Sequence, residues 1–440
     1  MQSPEMIDLC LRHTMFSWSA NGKVSPIPVA RAEGVYFYEP DGSRWLDWNS
    51  QLMSVNIGHS HPRVVAAMKE ACDGLIFAGP SCATEVRARL AERLARLVPG
   101  DINSFFFTLG GAEANENAIK AVRQFSGRFK ILARYRSYHG ATNGVMQLTG
   151  DPRRLANEPG MPGVVHVMDP RPYTYGFGGD DEEITQNHLT YLEEVIQYEG
   201  PSRIAAMFIE TVTGTNGILP PPKGWLQGLR ALLDRYGILL VCDEVMAGFG
   251  RTGRWFAFEH GDIVPDVLTM AKGLTSSYAP LGCMGVRQGI ADHFRDNVFW
   301  GGLTYNAHPF CLAVAMAVLD VMEDEDLVGN AQRMGAVMRD EMAALQARHA
   351  CVREHRNVGL FGIVELQDPK TGKALVPYGG AHPAMAAAMK HLRERRLYTV
   401  QSQAGIMCNP PLCVTAEQLR EGFSVLDEAL TIVDQMVEGG

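Results

Sequence analysis

The sequence predicts an α/β fold with a mostly parallel sheet, and two observations carry this prediction. Apolar runs such as residues 204–209 and 238–242 are bounded by polar residues and rich in aliphatic side chains, which is typical of strands buried on both faces. Segments with helical apolar spacing separate these runs, and alternating strands and helices form parallel sheets. A length of 440 residues also favours two domains, because single cores stop growing at about 250–300 residues.

The elements in order predict a large domain framed by two smaller segments. Residues 1–60 contain a hairpin with its turn at Asp41-Gly42 and are predicted to be the N-terminal part of a small domain. Residues 61–323 hold the sheet of the large domain, and residues 324–440 form the C-terminal, α+β part of the small one. Within the large domain, residues 150–190 are rich in Pro, Gly and Asp and are predicted to be mainly loops, with a helix from about Thr185 to Gln197.

Composition and charge argue against several classes of protein. The net charge of −9 disfavours nucleic acid or an anionic membrane as a partner, and no run of eighteen apolar residues suggests a membrane span. The nine cysteines show no Cys-x-x-Cys spacing, and the N-terminus lacks the pattern of a secretory signal. These features predict a cytoplasmic protein. His59 and His61 have no further ligand cluster nearby, so no metal is predicted.

Two strands end in residues of opposite charge. The run 238–242 leads into Asp243, and the run 267–270 leads into Ala271 and Lys272. Open α/β sheets bind ligands at the carboxyl ends of their strands. A lysine amine can form a Schiff base with an aldehyde cofactor, and a buried acid can keep the pyridine nitrogen of pyridoxal phosphate protonated. A buried ion pair or a solvated lysine would give the same pattern, so these strands alone leave the function open.

A second signal lies where the strand 104–108 passes into a helix over residues 112–123. The pair Gly110-Gly111 lets backbone N–H groups approach an anion, and the helix dipole favours negative charge there. Such a pair is also common in structural turns. Tyr138 follows the strand 130–133, where its ring could stack on a flat ligand.

These pieces together resemble the class III family of pyridoxal-phosphate aminotransferases, the group that acts on ω-amino acids and amines. The resemblance covers nearly the whole chain and implies fold type I, pyridoxal 5′-phosphate as cofactor and a homodimer with shared active sites, or a dimer of such dimers. It rests on motifs whose order and spacing match together: Asn56-Ile57-Gly58-His59-Ser60-His61-Pro62, Gly110-Gly111-Ala112-Glu113-Ala114, Tyr138-His139-Gly140, Asp243-Glu244-Val245, Ala271-Lys272-Gly273, Thr304-Tyr305 and Pro410-Pro411-Leu412.

The resemblance also implies the roles of individual residues. Lys272 would be the Schiff-base lysine and the group that moves the proton, and Asp243 would bind the pyridine nitrogen. Gly111 and Ala112 would hold the phosphate of the cofactor through main-chain N–H groups, and Thr304 would reach the phosphate bound by the partner subunit. Val245 would pack under the cofactor ring and Tyr138 over it. Glu210 would lie near the ring hydroxyl or the substrate, and His139 would orient its neighbours or pack structurally.

The substrate is less defined by the resemblance than the cofactor. The chain looks most similar to the branch that uses taurine or ω-amines with pyruvate, which implies a small amine donor and a keto-acid acceptor. Relatives usually carry an arginine for the substrate carboxylate shortly before the Pro-Pro pair, but residues 400–405 contain none. Acidic substrates would then depend on Gln401 or Gln403, or on an arginine elsewhere in the chain.

A neutral amide cannot replace the bidentate, charge-assisted hydrogen bonds of an arginine. We therefore expect uncharged primary amines to be accepted at least as well as ω-amino acids, with Leu52, Met53 and Phe77 as an apolar wall. A pyruvate aminotransferase specific for taurine or β-alanine is the alternative within the family. Glutamate-1-semialdehyde mutase and dialkylglycine decarboxylase share the lysine and the aspartate, and a pyruvate assay separates them. A transcriptional regulator of this fold would need an N-terminal helix-turn-helix, for which the roughly 60 residues before the large domain offer little room.

Overall fold

The computed structural model describes residues 3–173 and 175–438. Its strands are β1 Arg31–Glu33, β2 Tyr36–Tyr38, β3 Arg44–Asp47, β4 Ile102–Thr108, β5 Lys130–Arg134, β6 Val164–Val167, β7 Ile204–Glu210, β8 Leu239–Asp243, β9 Val267–Met270, β10 Gly282–Arg287, β11 Val352–Val358, β12 Phe361–Asp368, β13 Lys373–Ala374, β14 Leu397–Tyr398, β15 Gln401–Ser402 and β16 Gly405–Cys408. Its helices are α1 Ser3–His13, α2 Ser50–Met53, α3 Pro62–Asp73, α4 Glu85–Leu97, α5 Gly111–Ser126, α6 Asn143–Leu148, α7 Asp181–Glu199, α8 Trp225–Tyr236, α9 Gln288–Asp296, α10 Pro309–Asp324, α11 Leu327–Arg348, α12 Pro383–Glu394 and α13 Ala416–Glu438.

The largest sheet has seven strands in the order β4-β10-β9-β8-β7-β5-β6. The neighbours β9, β8, β7, β5 and β6 pair in parallel, whereas β10 is antiparallel to both β9 and β4. All seven residues of β7 are buried, which explains why its sequence is a continuous apolar run rather than an alternating one. The predicted α/β fold with a mostly parallel sheet is confirmed. None of the described helices is long and apolar enough to cross a membrane.

The N-terminal and C-terminal parts of the chain meet in a second sheet, of order β1-β2-β3-β14. Strand β14 comes from the C-terminal part and pairs in parallel with β3, with Leu397 opposite Leu46. Trp48, just after β3, is fully buried and packs edge-on against Phe423 of α13 at a ring distance of 5.1 Å. A third sheet, β11-β12-β16-β15, lies wholly in the C-terminal part. The domain boundaries after residues 60 and 323 stay a prediction.

The structure differs from the elements predicted from the sequence at several short segments. The loop predicted over residues 150–190 contains β6, an edge strand of four residues that are only partly buried except for Val167. The strand is a short run of three valines and one histidine, and its edge position in the sheet leaves three of the four residues only partly buried. Helix α7 begins at Asp181, four residues before the predicted start, because Asp180 caps it by accepting from the Glu183 amide. In the C-terminal α+β part, β11 and β12 form an antiparallel hairpin.

A substitution at Gly422 of α13 probes how tightly this helix of the C-terminal part packs against Trp48 of the N-terminal part. A Cβ atom at this position of α13 would overlap the six-membered ring of Trp48. Replacing a helical glycine by alanine normally stabilises a helix by about 0.5–1 kcal/mol. At Gly422 we expect the opposite, a destabilisation of about 1–3 kcal/mol from overpacking, measured as a lower midpoint of urea unfolding.

The matched control is Gly289→Ala in α9, where the added carbon meets no described heavy atom within 4 Å beyond its chain neighbours and the backbone of its own helix. This variant should unfold at the same urea concentration as the parent protein or at a slightly higher one. If Gly422→Ala behaves like Gly289→Ala, the contact between α13 and Trp48 is looser than described.

Candidate active site

A cavity of about 540 Å³ lies at the carboxyl ends of β7, β8 and β9, beside the N-terminus of α5. This is the position at which open α/β sheets bind ligands. Seven of the residues predicted to bind the cofactor line it: Gly111, Ala112, Tyr138, Glu210, Asp243, Val245 and Lys272. Ser277, Met246 and Leu281 complete parts of its wall.

Asp243 ends β8 and is almost fully buried, with 4% of its surface exposed. Its Oδ2 atom accepts hydrogen bonds from Asn115 Nδ2 at 2.7 Å and from His139 Nδ1 at 2.8 Å, and its Oδ1 accepts from the Val245 amide at 3.0 Å. A carboxylate removed from water needs such donors. One lone pair of Oδ1 is left to accept a further donor, and the carboxylate faces the cavity.

The partners of Asp243 are themselves held in place. Asn115 lies on the buried face of α5, donates also to the His139 carbonyl at 2.8 Å and accepts from Thr269 Oγ1 at 2.8 Å. Sequence reasoning missed Asn115, although it stands four residues after Gly111 and therefore on the same face of α5 as the cavity. His139 Nε2 is buried and has no hydrogen-bond partner among the described residues.

Glu210 is the counterpart of Asp243 on the neighbouring strand. The two residues pair in register across β7 and β8, so both side chains reach the same edge of the sheet. Glu210 accepts from the Tyr138 amide at 2.9 Å and from the Gly214 amide at 2.8 Å. Burial raises the pKa of Glu210, and the nearby Asp243 carboxylate adds to this rise.

Lys272 stands in a strained turn directly after β9. Its backbone has φ +45°, and Ser276 and Ser277 also have positive φ. Non-glycine residues in this region carry roughly 1–3 kcal/mol of strain, which persists where the surroundings fix the conformation, often at functional sites. Burial lowers the pKa of Lys272 from 10.5 to about 8, while Asp243 and Glu210 oppose that shift and Arg153 and Arg251 add to it.

The N-terminus of α5 supplies free backbone donors to the cavity. Its first N–H groups have no intrahelical acceptor, and no side chain caps the end at Gly110. Gly111 is required here because a Cβ would come within 2.8 Å and 2.9 Å of the Val245 methyl groups. An uncapped helix start with a glycine at the closest approach suits an oxyanion such as a phosphate.

The remaining predicted residues lie outside the cavity. Thr304 is in an exposed turn before α10 and does not line it. Leu52 and Phe77 are 59% and 44% exposed. Met53 is buried and does not line the cavity, but it belongs to an apolar cluster that includes Met246 of the cavity wall. The side-chain Nε2 of Gln401 donates to the backbone carbonyl of Gln403 at 2.7 Å. Gln403 lines a different cavity, together with Arg136, Arg353 and Arg356. The structure of this chain therefore does not bring the five predicted substrate residues together.

Two further residues beside the cavity were missed by sequence reasoning. The ring of Trp18 packs edge-on against that of Tyr138, with centroids 5.8 Å apart, and the Arg153 guanidinium lies 3.9 Å from the centre of the Tyr138 ring. Trp18 belongs to the N-terminal segment, and Arg153 follows Tyr138 by fifteen positions across a helix and a turn. No local pattern in the sequence places either of them here.

The cavity fits pyridoxal 5′-phosphate on its own chemistry. Lys272 offers an amine for the aldehyde, the free lone pair of Asp243 Oδ1 suits a protonated pyridine nitrogen, and the open end of α5 suits the phosphate. With the mostly parallel sheet, these residues define a pyridoxal-phosphate-dependent enzyme of fold type I.

Comparison with known proteins narrows this class. The family model described as aminotransferase class-III matches residues 18–430, and the chain belongs to this family. The taurine–pyruvate aminotransferase of Bilophila wadsworthia is 30% identical over 98% of this chain and 98% of that protein.

Solved structures agree with this assignment. The taurine:2-oxoglutarate aminotransferase of Bifidobacterium kashiwanohense, in complex with PLP and glutamate, has 40% identity and a TM-score of 0.95 over 99% of both chains. An (S)-enantioselective omega-transaminase of Thermomicrobium roseum has 35% identity and a TM-score of 0.92 over 99% of both chains. The predictions of an aminotransferase and of pyridoxal phosphate as its cofactor are confirmed.

The lowered pKa of Lys272 is testable in the cofactor-free protein. Because only the neutral amine reacts with an acylating reagent, the labelling rate of Nζ should rise with pH and level off above a midpoint near 8, instead of near 10.5. Mass spectrometry of the Lys272 peptide gives this rate at each pH. In the urea-unfolded protein the midpoint should return toward 10.5.

The same labelling experiment with the variant Asp243→Asn tests whether the Asp243 carboxylate acts on the pKa of Lys272. The Asp243 carboxylate raises the pKa of Lys272, so its removal should move the midpoint further below that of the parent protein. A midpoint near 10.5 in the folded protein, or no response to Asp243→Asn, would show that Lys272 is neither buried nor close to this acid.

Proposed function

We propose that this aminotransferase moves an amino group from a primary amine or ω-amino acid to a keto acid, with pyruvate as the acceptor, in two half-reactions at one site. The observation that carries the proposal is the meeting of Lys272, Asp243 and the open N-terminus of α5 at one cavity. Bound pyridoxal phosphate supplies the electron sink for the electrons left behind when the amine carbon loses its proton.

The proposed roles follow from the surroundings of each residue. Lys272 Nζ holds and moves a proton, and a pKa of about 8 makes both of its protonation states accessible near neutral pH. Asp243 keeps its ring partner protonated, because Asn115, His139 and the Val245 amide hold the carboxylate in place. The amides of Gly111 and Ala112 bind phosphate, and Tyr138 and Val245 contact the ring. Glu210 lies where it can accept from the substrate or the ring hydroxyl.

The relatives support both the donor class and the acceptor class. One of them carries taurine and pyruvate in its name, and another carries taurine and 2-oxoglutarate. Both names describe transfer from a small ω-amino acid to a keto acid. A taurine- or β-alanine-specific enzyme is therefore the second candidate, and the identity of the acceptor is a question for experiment.

A donor and acceptor panel tests the proposal. Purified holoenzyme is supplied with taurine, β-alanine, putrescine or 1-phenylethylamine, and with pyruvate or 2-oxoglutarate. We expect one alanine to form for each amine consumed with pyruvate. Carbon dioxide release, or isomerisation without a keto acid, would identify a decarboxylase or a mutase of the same fold instead.

Lys272→Ala is the companion variant in the same assay. It should lose turnover with every donor, together with the visible absorbance of the lysine-bound cofactor. The matched control is Lys120→Ala, since Lys120 lies on α5 but is exposed on the side away from the cavity. Retention of both signals in Lys272→Ala would contradict the assigned role.

Assembly as a homodimer with shared active sites is part of the proposal. Thr304 lies in an exposed turn and outside the cavity of its own chain, which supports the expectation that it reaches the phosphate site of the partner subunit. A dimer of such dimers would keep this contact. The nine cysteines are all free thiols, which supports the reducing cytoplasm as the compartment.

Thr304→Ala should weaken retention of the cofactor by about tenfold, the size expected for one hydrogen bond to a charged group. The measurement is the release of pyridoxal phosphate on dilution, followed by light scattering to record the oligomeric state. Thr431→Ala serves as the control, because Thr431 is also exposed but lies on α13. A stable monomer that retains cofactor and activity would refute the shared site.

A further inference from the structure

An arginine beside the cavity has free donors and a fixed position. Arg153 lies in the short helical turn Pro152–Asn157, and its guanidinium is 3.9 Å from the centre of the Tyr138 ring. The Trp18 ring lies 5.1 Å away on the same guanidinium. Cation–π contacts of this kind orient an arginine without using its N–H groups, which stay available for an anion.

The hydrogen bonds of Arg153 leave one side of the guanidinium open. Its Nε donates to both oxygens of Asp151 at 3.0 Å, and its Nη2 donates to Asp151 and to Thr215 Oγ1, the latter at 3.0 Å. Among the described residues, no acceptor is within hydrogen-bond distance of Nη1. The two N–H donors of Arg153 Nη1 therefore have no partner in the part of the chain that the structure describes.

Asp151 holds the Nε and Nη2 side of the Arg153 guanidinium in place and does not bind Nη1. The Asp151 carboxylate is buried and also accepts from Asn216 Nδ2 at 3.1 Å and from the Arg153 amide at 3.0 Å. These contacts hold the Nε and Nη2 side of the guanidinium against the protein. The charge of Arg153 also reaches the cavity, since it contributes to the lowered pKa of Lys272.

The Nη atoms of two other arginines, Arg251 and Arg356, are occupied. Arg251 is fully buried, and its two Nη atoms donate to the carbonyls of Leu360 and Pro410, to Ser50 Oγ and to Asn56 Oδ1. Arg356 donates to Glu354, Glu365 and the carbonyls of residues 217 and 218, and it lines the cavity that contains Gln403. Neither has the combination of open donors and contact with the Tyr138 ring.

We propose that Arg153 binds the acid group of the amine donor, a carboxylate or a sulfonate, through its Nη1 side next to Tyr138. Arg153 is then the substrate-binding arginine that residues 400–405 do not supply. The inference rests on the proposed function and narrows its donor to ω-amino acids. It also reverses the expectation that uncharged amines are accepted at least as well.

Kinetics of Arg153→Gln test the assignment. The quantity measured is the ratio of kcat/KM for taurine or β-alanine to kcat/KM for 1-phenylethylamine, with pyruvate as acceptor. Loss of charge-assisted hydrogen bonds to the acid group should lower this ratio by roughly ten- to a hundredfold, mainly through KM. Arg153→Lys keeps the charge but loses the planar fork, so its ratio should lie between those of the parent and Arg153→Gln.

Arg154→Gln is the matched control. Arg154 is the next residue in the same turn, pairs with Glu158 and makes no contact with the Tyr138 ring. Its ratio should equal that of the parent enzyme. An unchanged ratio in Arg153→Gln, or an equal fall in Arg153→Gln and Arg154→Gln, would overturn the proposal, because either result means that Arg153 acts only on the structure of the turn.

A binding measurement separates this proposal from the proposed function. Ethanesulfonate and propionate carry the acid group but no amine, so their binding to holoenzyme by calorimetry does not depend on turnover. We expect binding to the parent protein and to Arg154→Gln, and at least about tenfold weaker binding to Arg153→Gln. Equal binding by all three proteins would overturn the role of Arg153. Absence of turnover with every donor would contradict the proposed function instead, and the calorimetry would still decide about Arg153.

Discussion

The buried carboxylate of Asp243 is the constraint on which the site depends. A charge at the end of a central strand is removed from water, and it is stable there only if donors replace the lost hydration. Those donors come from Asn115 on α5, from His139 in the loop after β5 and from the Val245 amide. One carboxylate thus fixes the relative positions of the helix that begins at the cavity, the loop that carries Tyr138 and the strand end beside Lys272.

Glu244, the residue after Asp243, is also acidic but has a different role. Glu244 is also buried, and burial raises its pKa to about 7. It accepts from Thr211 Oγ1 and from the amides of Ala257 and Phe258, and it does not line the cavity. Successive side chains at the end of a strand point in opposite directions, so one acid serves the site and the next ties loops together.

The parts of the site that could be predicted from the sequence are those set by strand ends and helix starts. A buried apolar run that ends in Asp243, and another that leads to Lys272, place both side chains at one edge of a parallel sheet by geometry alone. The weakly buried edge strand β6 gave no comparable pattern, and the short α1 has no buried residue to mark it.

Contacts between distant segments could not be predicted in this way. Trp18 and Arg153 meet Tyr138 only because the N-terminal segment and the turn after α6 fold against the same loop. The substrate residues predicted from the segment 400–405 show the converse. Hydrogen bonds within the turn and with the Gly379 amide hold Gln401 and Gln403 away from the cavity. The local sequence of this segment does not predict these hydrogen bonds.

The charges around Lys272 link substrate recognition to proton transfer. Asp243 and Glu210 favour its protonated amine, whereas Arg153 and burial favour the neutral one. An acid group bound at Arg153 would cancel part of that positive field, and the amine of Lys272 would then become more basic in the presence of an acidic donor than of an uncharged one. A single arginine placed against Tyr138 can therefore contribute both to the choice of donor and to the basicity of the group that takes its proton. The segment 400–405 offers no such link in this chain, because its residues Gln403 and Ala404 line another cavity.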